Sequence, residues 1–222
     1  MKAEKIDILL DDEIGDQHIS TSLDTPLRPD AFVLDDQLKM ELIEKNFREI
    51  MHVLGLDLID DSLRGTPARV AKMFVKEIFS GLNPSNKPDV KLFENKYKYK
   101  EMLVERDITL YSFCEHHFVP IIGKAHVAYI PNKHVIGLSK LNRIVQYYAK
   151  RPQVQERLTI QIANELKEVL QTEDVAVMID ARHLCVAARG VEDVQSSTVT
   201  SSFHGKFLTD QSRNEFFNYI MK

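Results

Sequence analysis

Between Asp35 and Leu54 apolar residues recur at steps of three and four, at Leu38, Leu42, Ile43, Phe47, Ile50, Met51 and Leu54. That is the period of one helix face, and Gly55 closes it. A second helix is predicted from Thr66-Pro67, where a hydroxyl can cap and proline suits the first helical position. Its stripe runs through Val70, Phe74 and Ile78 to Gly81, and Asn83 to Pro88 reads as a loop. From Met102 the period becomes two, with Ile108, Leu110 and Ser112 on one side of a strand and Thr109, Tyr111 and Phe113 on the other. Gly123 to Ile130 gives a second strand, so the pair predicts a long hairpin. Two periodic helices follow, one carried by Leu138, Leu141, Val145 and Tyr148, the next opened by Pro152 and striped by Val154, Leu158, Ile162, Leu166 and Leu170. Strand texture returns at Val175–Asp180 and Gln195–Ser202, and a terminal helix is predicted over Asp210–Tyr219. Helices, then ββ, αα and ββ, predict an α+β fold with helices on one face of an antiparallel sheet.

Composition narrows the function classes. The formal charge of -4, from 33 acidic and 29 basic residues, gives no overall bias toward nucleic acid or an anionic membrane. Any basic site is therefore local. No apolar run at the amino terminus exceeds Ile8-Leu9-Leu10, which is too short for a secretory signal, and no segment has the ~18 apolar residues a spanning helix needs. A cytoplasmic chain is expected. In that reducing compartment two cysteines are free, metal-bound or catalytic rather than bridged.

Chemistry concentrates at Cys114-Glu115-His116-His117, immediately after the first predicted strand, and at His183-Leu184-Cys185, after a later one. Zinc takes thiolate and imidazole ligands, and a catalytic zinc has three of them with the fourth position open. Cys114, His117 and Cys185 make such a set if both motifs lie at the same end of the sheet. His116 or His183 could instead complete a closed four-ligand staple, and two inert core thiols are the plainest reading of all. As non-ligands, His116 and His183 suit proton transfer near neutral pH. His126, inside a strand pattern, and His52, on a helix, read as structural.

A second constellation is basic. Lys140 and Arg143 stand three apart near the start of the helix that begins around Ser139, and Arg69 and Arg189 could join them around a phosphate, or each could be a solvated surface cation. Gln155-Glu156 falls in a first helical turn, where a carboxylate suits the helix dipole or could accept two hydrogen bonds from guanine.

The motifs Cys114-Glu-His-His117, Gly137-Leu-Ser-Lys-Leu-Asn-Arg143, Arg151-Pro-Gln-Val-Gln-Glu-Arg157 and His183-Leu-Cys-Val-Ala-Ala-Arg-Gly190 resemble GTP cyclohydrolase I, from about residue 35 to the carboxyl terminus. The resemblance implies a tunnelling fold (T-fold) whose ββααββ unit joins an intersubunit barrel, usually in a homodecamer with active sites between subunits. Residues 1–30, with Gly15, Pro26 and Pro29 and no sustained period, lie outside the resemblance and suggest a flexible arm, followed by a helical region over 31–100 and the T-fold catalytic domain over 101–222. The implied reaction converts GTP and water to 7,8-dihydroneopterin triphosphate and formate, the entry to tetrahydrofolate or biopterin. By matching positions Cys114, His117 and Cys185 would hold Zn2+, His116 and His183 would move protons, and Ser139 would assist the ribose rearrangement. Gln155 and Glu156 would hold guanine, and Arg69, Lys140, Arg143 and Arg189 the triphosphate. Two other readings stand beside it: a nitrile reductase of the same fold with a cysteine nucleophile, and a zinc-stabilised scaffold without activity.

Overall fold

The first helical stripe forms α1 (Asp36–Val53), started by Asp35, whose carboxylate accepts the Leu38 amide at 2.8 Å, and ended before Gly55 at φ 77°. The computed structural model describes residues 22–221. Of the predicted arm, residues 1–21 lie outside the described residues, while Asp24 accepts Arg151 Nη1 at 3.3 Å and Thr25 is buried. The next helix departs from expectation. α2 (Thr66–Lys72) begins with Thr66 already helical, so its hydroxyl does not cap; it accepts Arg69 Nη2 at 2.9 Å instead. The same stripe continues through a π-helical turn at Met73–Ile78 and a 3-10 turn at Ser80–Leu82 rather than as one regular helix. Gly81 pins this region to the rest: its amide donates to Lys150 O at 2.9 Å, and a Cβ there would stand 2.0 Å from Tyr147 O.

The strands follow the period-two pattern. β1 (Leu92–Glu94) pairs with β4 (His134–Ile136) in a small sheet that short segments had not announced. β2 (Leu103–Cys114) and β3 (Pro120–Tyr129) form the predicted hairpin, with Ile108, Leu110 and Ser112 buried and Thr109 and Tyr111 exposed. α3 (Leu138–Ala149) comes next, but Pro152 does not open the following helix. Pro152–Gln153 is instead the two-residue strand β5, parallel to the end of β2, and α4 spans Gln155–Leu170. β6 (Val175–His183), the single turn α5 (Leu184–Ala187), β7 (Thr198–Phe203) and α6 (Asp210–Ile220) complete the chain.

The main sheet has the order β5-β2-β3-β6-β7, antiparallel except at β5. On one face Leu110, Ile121, Val127, Val177 and Ile179 pack with Leu141, Val145, Leu158, Ile162 and Leu166 of α3 and α4. On the other, Ala128 and Ala176 meet Phe207 and Phe216, so α6 covers a face the sequence reading had left open. Among the described residues no helix is long and apolar enough to cross a membrane.

His126 sits on that second face, structural as expected. A bulge between Glu105 and Ile108 puts Asp107 at φ 59° and turns its amide onto His126 Nδ1 at 3.2 Å. An accepting Nδ1 requires the ring to be neutral. Burial lowers the His126 pKa, with Asp107 and Asp180 opposing and Lys124 and Arg106 assisting. Between that lowered value and the ordinary ~6.5, the unfolded chain binds more protons than the folded one. Stability is therefore fully present above pH ~6.5 and falls as pH drops through this window. We expect the urea midpoint of the parent protein to decline more between pH 7 and pH 5 than that of His126→Asn, whose Oδ1 keeps the acceptor but does not titrate. Equal declines would refute this.

Candidate metal and catalytic centre

β2 ends at Cys114 and must reverse at once into β3. The Phe118 amide donates to Cys114 O and the Cys114 amide to Val119 O, both at 2.9 Å, and Phe118 takes a left-handed φ of 53° to close the turn. The tight reversal brings Cys114 and His117 to the same end of the sheet. There Ile121 is paired with His183, the last residue of β6, and Cys185 lies two residues on, in α5. The donor atoms of Cys114, His117 and Cys185 all lie within 4.8 Å of one another. Two thiols and an imidazole are a donor set suited to zinc, not to magnesium or calcium, which prefer oxygen. Burial, and then the neighbouring Cys114, push the Cys185 thiol up to about 11. A divalent cation at the shared point would reverse that preference, because it stabilises thiolate.

His116 and His183 flank this cluster without belonging to it. His116 Nδ1 lies 3.7 Å from Cys114 Sγ. His183 Nε2 is 2.8 Å from Oε1 of Gln155, a side chain only 1% exposed at the start of α4. The Gln155 amide nitrogen donates to Thr198 O at 2.8 Å and Ile179 O at 3.2 Å, with Thr200 Oγ1 at 3.1 Å. Backbone carbonyls only accept, so the nitrogen must face them and the amide oxygen must face His183. His183 therefore donates through Nε2, and in the neutral ring Nδ1 is the basic nitrogen. Burial lowers the His183 pKa, with Glu156 opposing it.

The two halves of the predicted guanine pair thus differ: Gln155 is sealed and committed to β6, β7 and His183, while Glu156 is exposed in the first turn of α4. Ser139 is exposed in the first turn of α3. Each of the four basic residues has its own local setting. Arg69 bonds Ser62 O and Thr66, Lys140 bonds Asp89 O, Arg143 lines a shallow cavity with Asn86 and Lys150, and Arg189 Nη1 donates to His117 Nε2 at 2.9 Å.

Residues 43–221 match the family model for GTP cyclohydrolase I. Proteins named GTP cyclohydrolase 1 are similar over nearly the whole chain. One from Flavobacterium johnsoniae is 63% identical, covering 94% of each chain. One from Salmonella gallinarum is 54% identical over 93% of this chain and 94% of its own, and one from Escherichia coli O1:K1 is 55% identical over 91% of both. The chain belongs to the GTP cyclohydrolase I family. A solved structure of the archaeosine synthase QueF-Like, in the apo form, overlaps 47% of this chain and 93% of its own at 19% identity, with a TM-score of 0.35, too loosely to carry an argument.

Within this GTP cyclohydrolase I chain the geometry adds residues that sequence reading passed over. Glu115 stands between the cluster residue Cys114 and His116, and its carboxylate meets the guanidinium of Arg157 from α4. Arg157 in turn binds Gln153 Oε1 at 3.1 Å and Pro152 O at 3.2 Å. One signal was available: polar residues, Arg157 and Gln161 among them, interrupt the buried side of α4.

Proposed function

We propose that this chain is a zinc-dependent GTP cyclohydrolase I, which converts GTP and water to 7,8-dihydroneopterin triphosphate and formate in the cytoplasm. The observation that carries the reading is the meeting of Cys114, His117 and Cys185 from two remote segments in a chain of this family. Bound there, zinc supplies the Lewis acidity that activates water for attack on purine C8.

The chain's own residues do the rest. Burial favours the neutral form of His183, in which Nδ1 can take a proton, and the Gln155 bond fixes the direction of that lone pair. His116, beside Cys114, is the second proton carrier when the imidazole ring opens. The exposed Glu156 carboxylate accepts the ring N–H and amino group of guanine. Gln155, being committed elsewhere, contributes by holding His183 rather than by touching the base. Ser139, at the α3 amino terminus, assists the ribose rearrangement.

Arg69, Lys140, Arg143 and Arg189 bind the triphosphate at a site completed by a neighbouring subunit. The outer edge of β7, and of β2 before Phe113, has no strand partner among the described residues. Such edges invite pairing. That supports a tunnelling fold in which neighbouring sheets continue one another into a barrel, in a homodecamer.

Incubation with GTP is the test. Formate should be released, with a fluorescent pterin after oxidation, while ATP gives neither. In Glu156→Ala the preference for GTP should fall about 10- to 100-fold, the worth of a charge-assisted hydrogen-bond pair. Absence of formate from the zinc-loaded parent would overturn the reading.

A further inference from the structure

We propose that Arg157 and Glu115 form a buried positioning pair that fixes the Cys114–His117 turn against the amino terminus of α4. The inference rests on the three-ligand reading of Cys114, His117 and Cys185, and it concerns residues that this reading leaves without a role.

A single guanidinium ties three segments together. Arg157 Nη2 meets Glu115 Oε2 and, at 3.2 Å, Pro152 O; Arg157 Nε donates to Gln153 Oε1 at 3.1 Å. The Glu115 amide donates to Gln153 O at 3.0 Å. Gln153 is held in turn, its amide nitrogen donating to Gln161 Oε1 at 2.8 Å and Tyr148 O at 2.9 Å. The other Glu115 oxygen lies 3.9 Å from His116 Nε2. The carboxylate therefore stands between the clamp and a residue proposed to carry protons.

Stability does not explain the pair. Side chains only 4% and 18% exposed have lost most of their hydration, and the attraction between buried charges roughly repays that loss. Two apolar side chains of similar volume would remove both charges together, and would leave Gln153 Oε1 and Pro152 O without that donor. Position does explain it. β5 joins β2 through just two residue pairs, Phe113 with Pro152 and Cys114 with Gln153, and the second of these is a predicted metal ligand. So short a ladder fixes register weakly. The planar fork of arginine fixes distance and angle at once, which lysine cannot do. Through it the separation is set between the metal turn and Glu156, one residue before Arg157 on α4.

The test compares the full-length parent with Glu115→Met/Arg157→Met and with the milder Glu115→Gln, each freed of metal and retitrated. Zinc affinity is read by competition with a chromophoric chelator, ligand geometry by the visible spectrum of the Co2+ form, and stability by thermal unfolding of the metal-free protein. In the double variant the metal-free Tm should fall by no more than about 10 °C, the scale of the lost Gln153 and Pro152 hydrogen bonds. Its zinc affinity should fall about 10- to 100-fold, with an altered Co2+ spectrum, and kcat should fall more than KM rises. Glu115→Gln should move zinc affinity the same way by less, which decides the matter if the double variant does not fold. Parental zinc affinity and Co2+ spectrum in the folded variants would overturn the inference alone. A parent that takes up no zinc would overturn the three-ligand reading, and this inference with it.

Discussion

Cys185→Ser is expected to be isolated nearly free of zinc, folded, and inactive by about 10³-fold or more. The thiol contributes to two different quantities, and only one of them is stability. Cys185 is half-buried at the rim of the core, on the short α5 turn beyond β6, so exchanging sulfur for oxygen leaves no large cavity and should change metal-free stability by only about 1 kcal/mol. Metal affinity depends instead on a soft anionic donor, and a serine hydroxyl stays protonated at neutral pH. Removing one of three proposed ligands leaves Cys114 and His117, two donors on one turn, without the partner that closes the site from α5. A metal supplies several kcal/mol of transition-state stabilisation, which sets the scale of the activity loss. The checks are elemental analysis of the purified protein and unfolding of the metal-free forms side by side. Unchanged zinc content would remove Cys185 from the ligand set, whatever the activity.

The elements that sequence predicted well are those whose own packing dictates their period. The β2–β3 hairpin, α3 and α6 each bury a face marked by residues such as Leu110, Leu141 and Phe216, while α1 keeps its period with Met51 of its stripe buried and Leu38, Leu42 and Ile50 exposed. The errors fall where a tertiary contact outweighs a local signal. Pro152 follows the end of a helix and precedes another, which suggests a helix start; parallel pairing with Phe113 makes it a strand instead. Thr66 has the chemistry of a cap, yet Gly65 takes that position and the hydroxyl serves Arg69. In the candidate site, residue types foretold the Cys114–His117–Cys185 cluster, because few side chains bind zinc. Gln155 could not be read in the same way. Its side chain is a recognition group in sequence, but only the approach of Thr198 and Ile179 reveals that both ends of the amide are already used. Glu115 and Arg157 were hidden for a similar reason, since their pairing spans the turn and α4.

His183→Ala is the sharpest discriminator between an open catalytic site and a closed metal staple. As a proton carrier, His183 acts on substrate through Nδ1 while Gln155 holds Nε2, so its loss should leave the Cys114, His117 and Cys185 donors in place. Zinc content should match the parent, and GTP should bind with an affinity within a few-fold of it, because Glu156 and the cations remain. Product formation should fall about 10²- to 10⁴-fold, the usual worth of a positioned acid or base. Stability should decrease by about 1 kcal/mol, since Gln155 Oε1 loses one partner while its amide nitrogen keeps the carbonyls of Ile179 and Thr198. If His183 were instead a fourth ligand, the same substitution would release the metal, and binding and activity would fail together. Zinc content and equilibrium GTP binding, measured on the same sample as formate release, separate the two. Gln155 holds Nε2 in either case, since a metal-ligating histidine also donates its other ring N–H to protein, and the zinc content of the variant therefore decides.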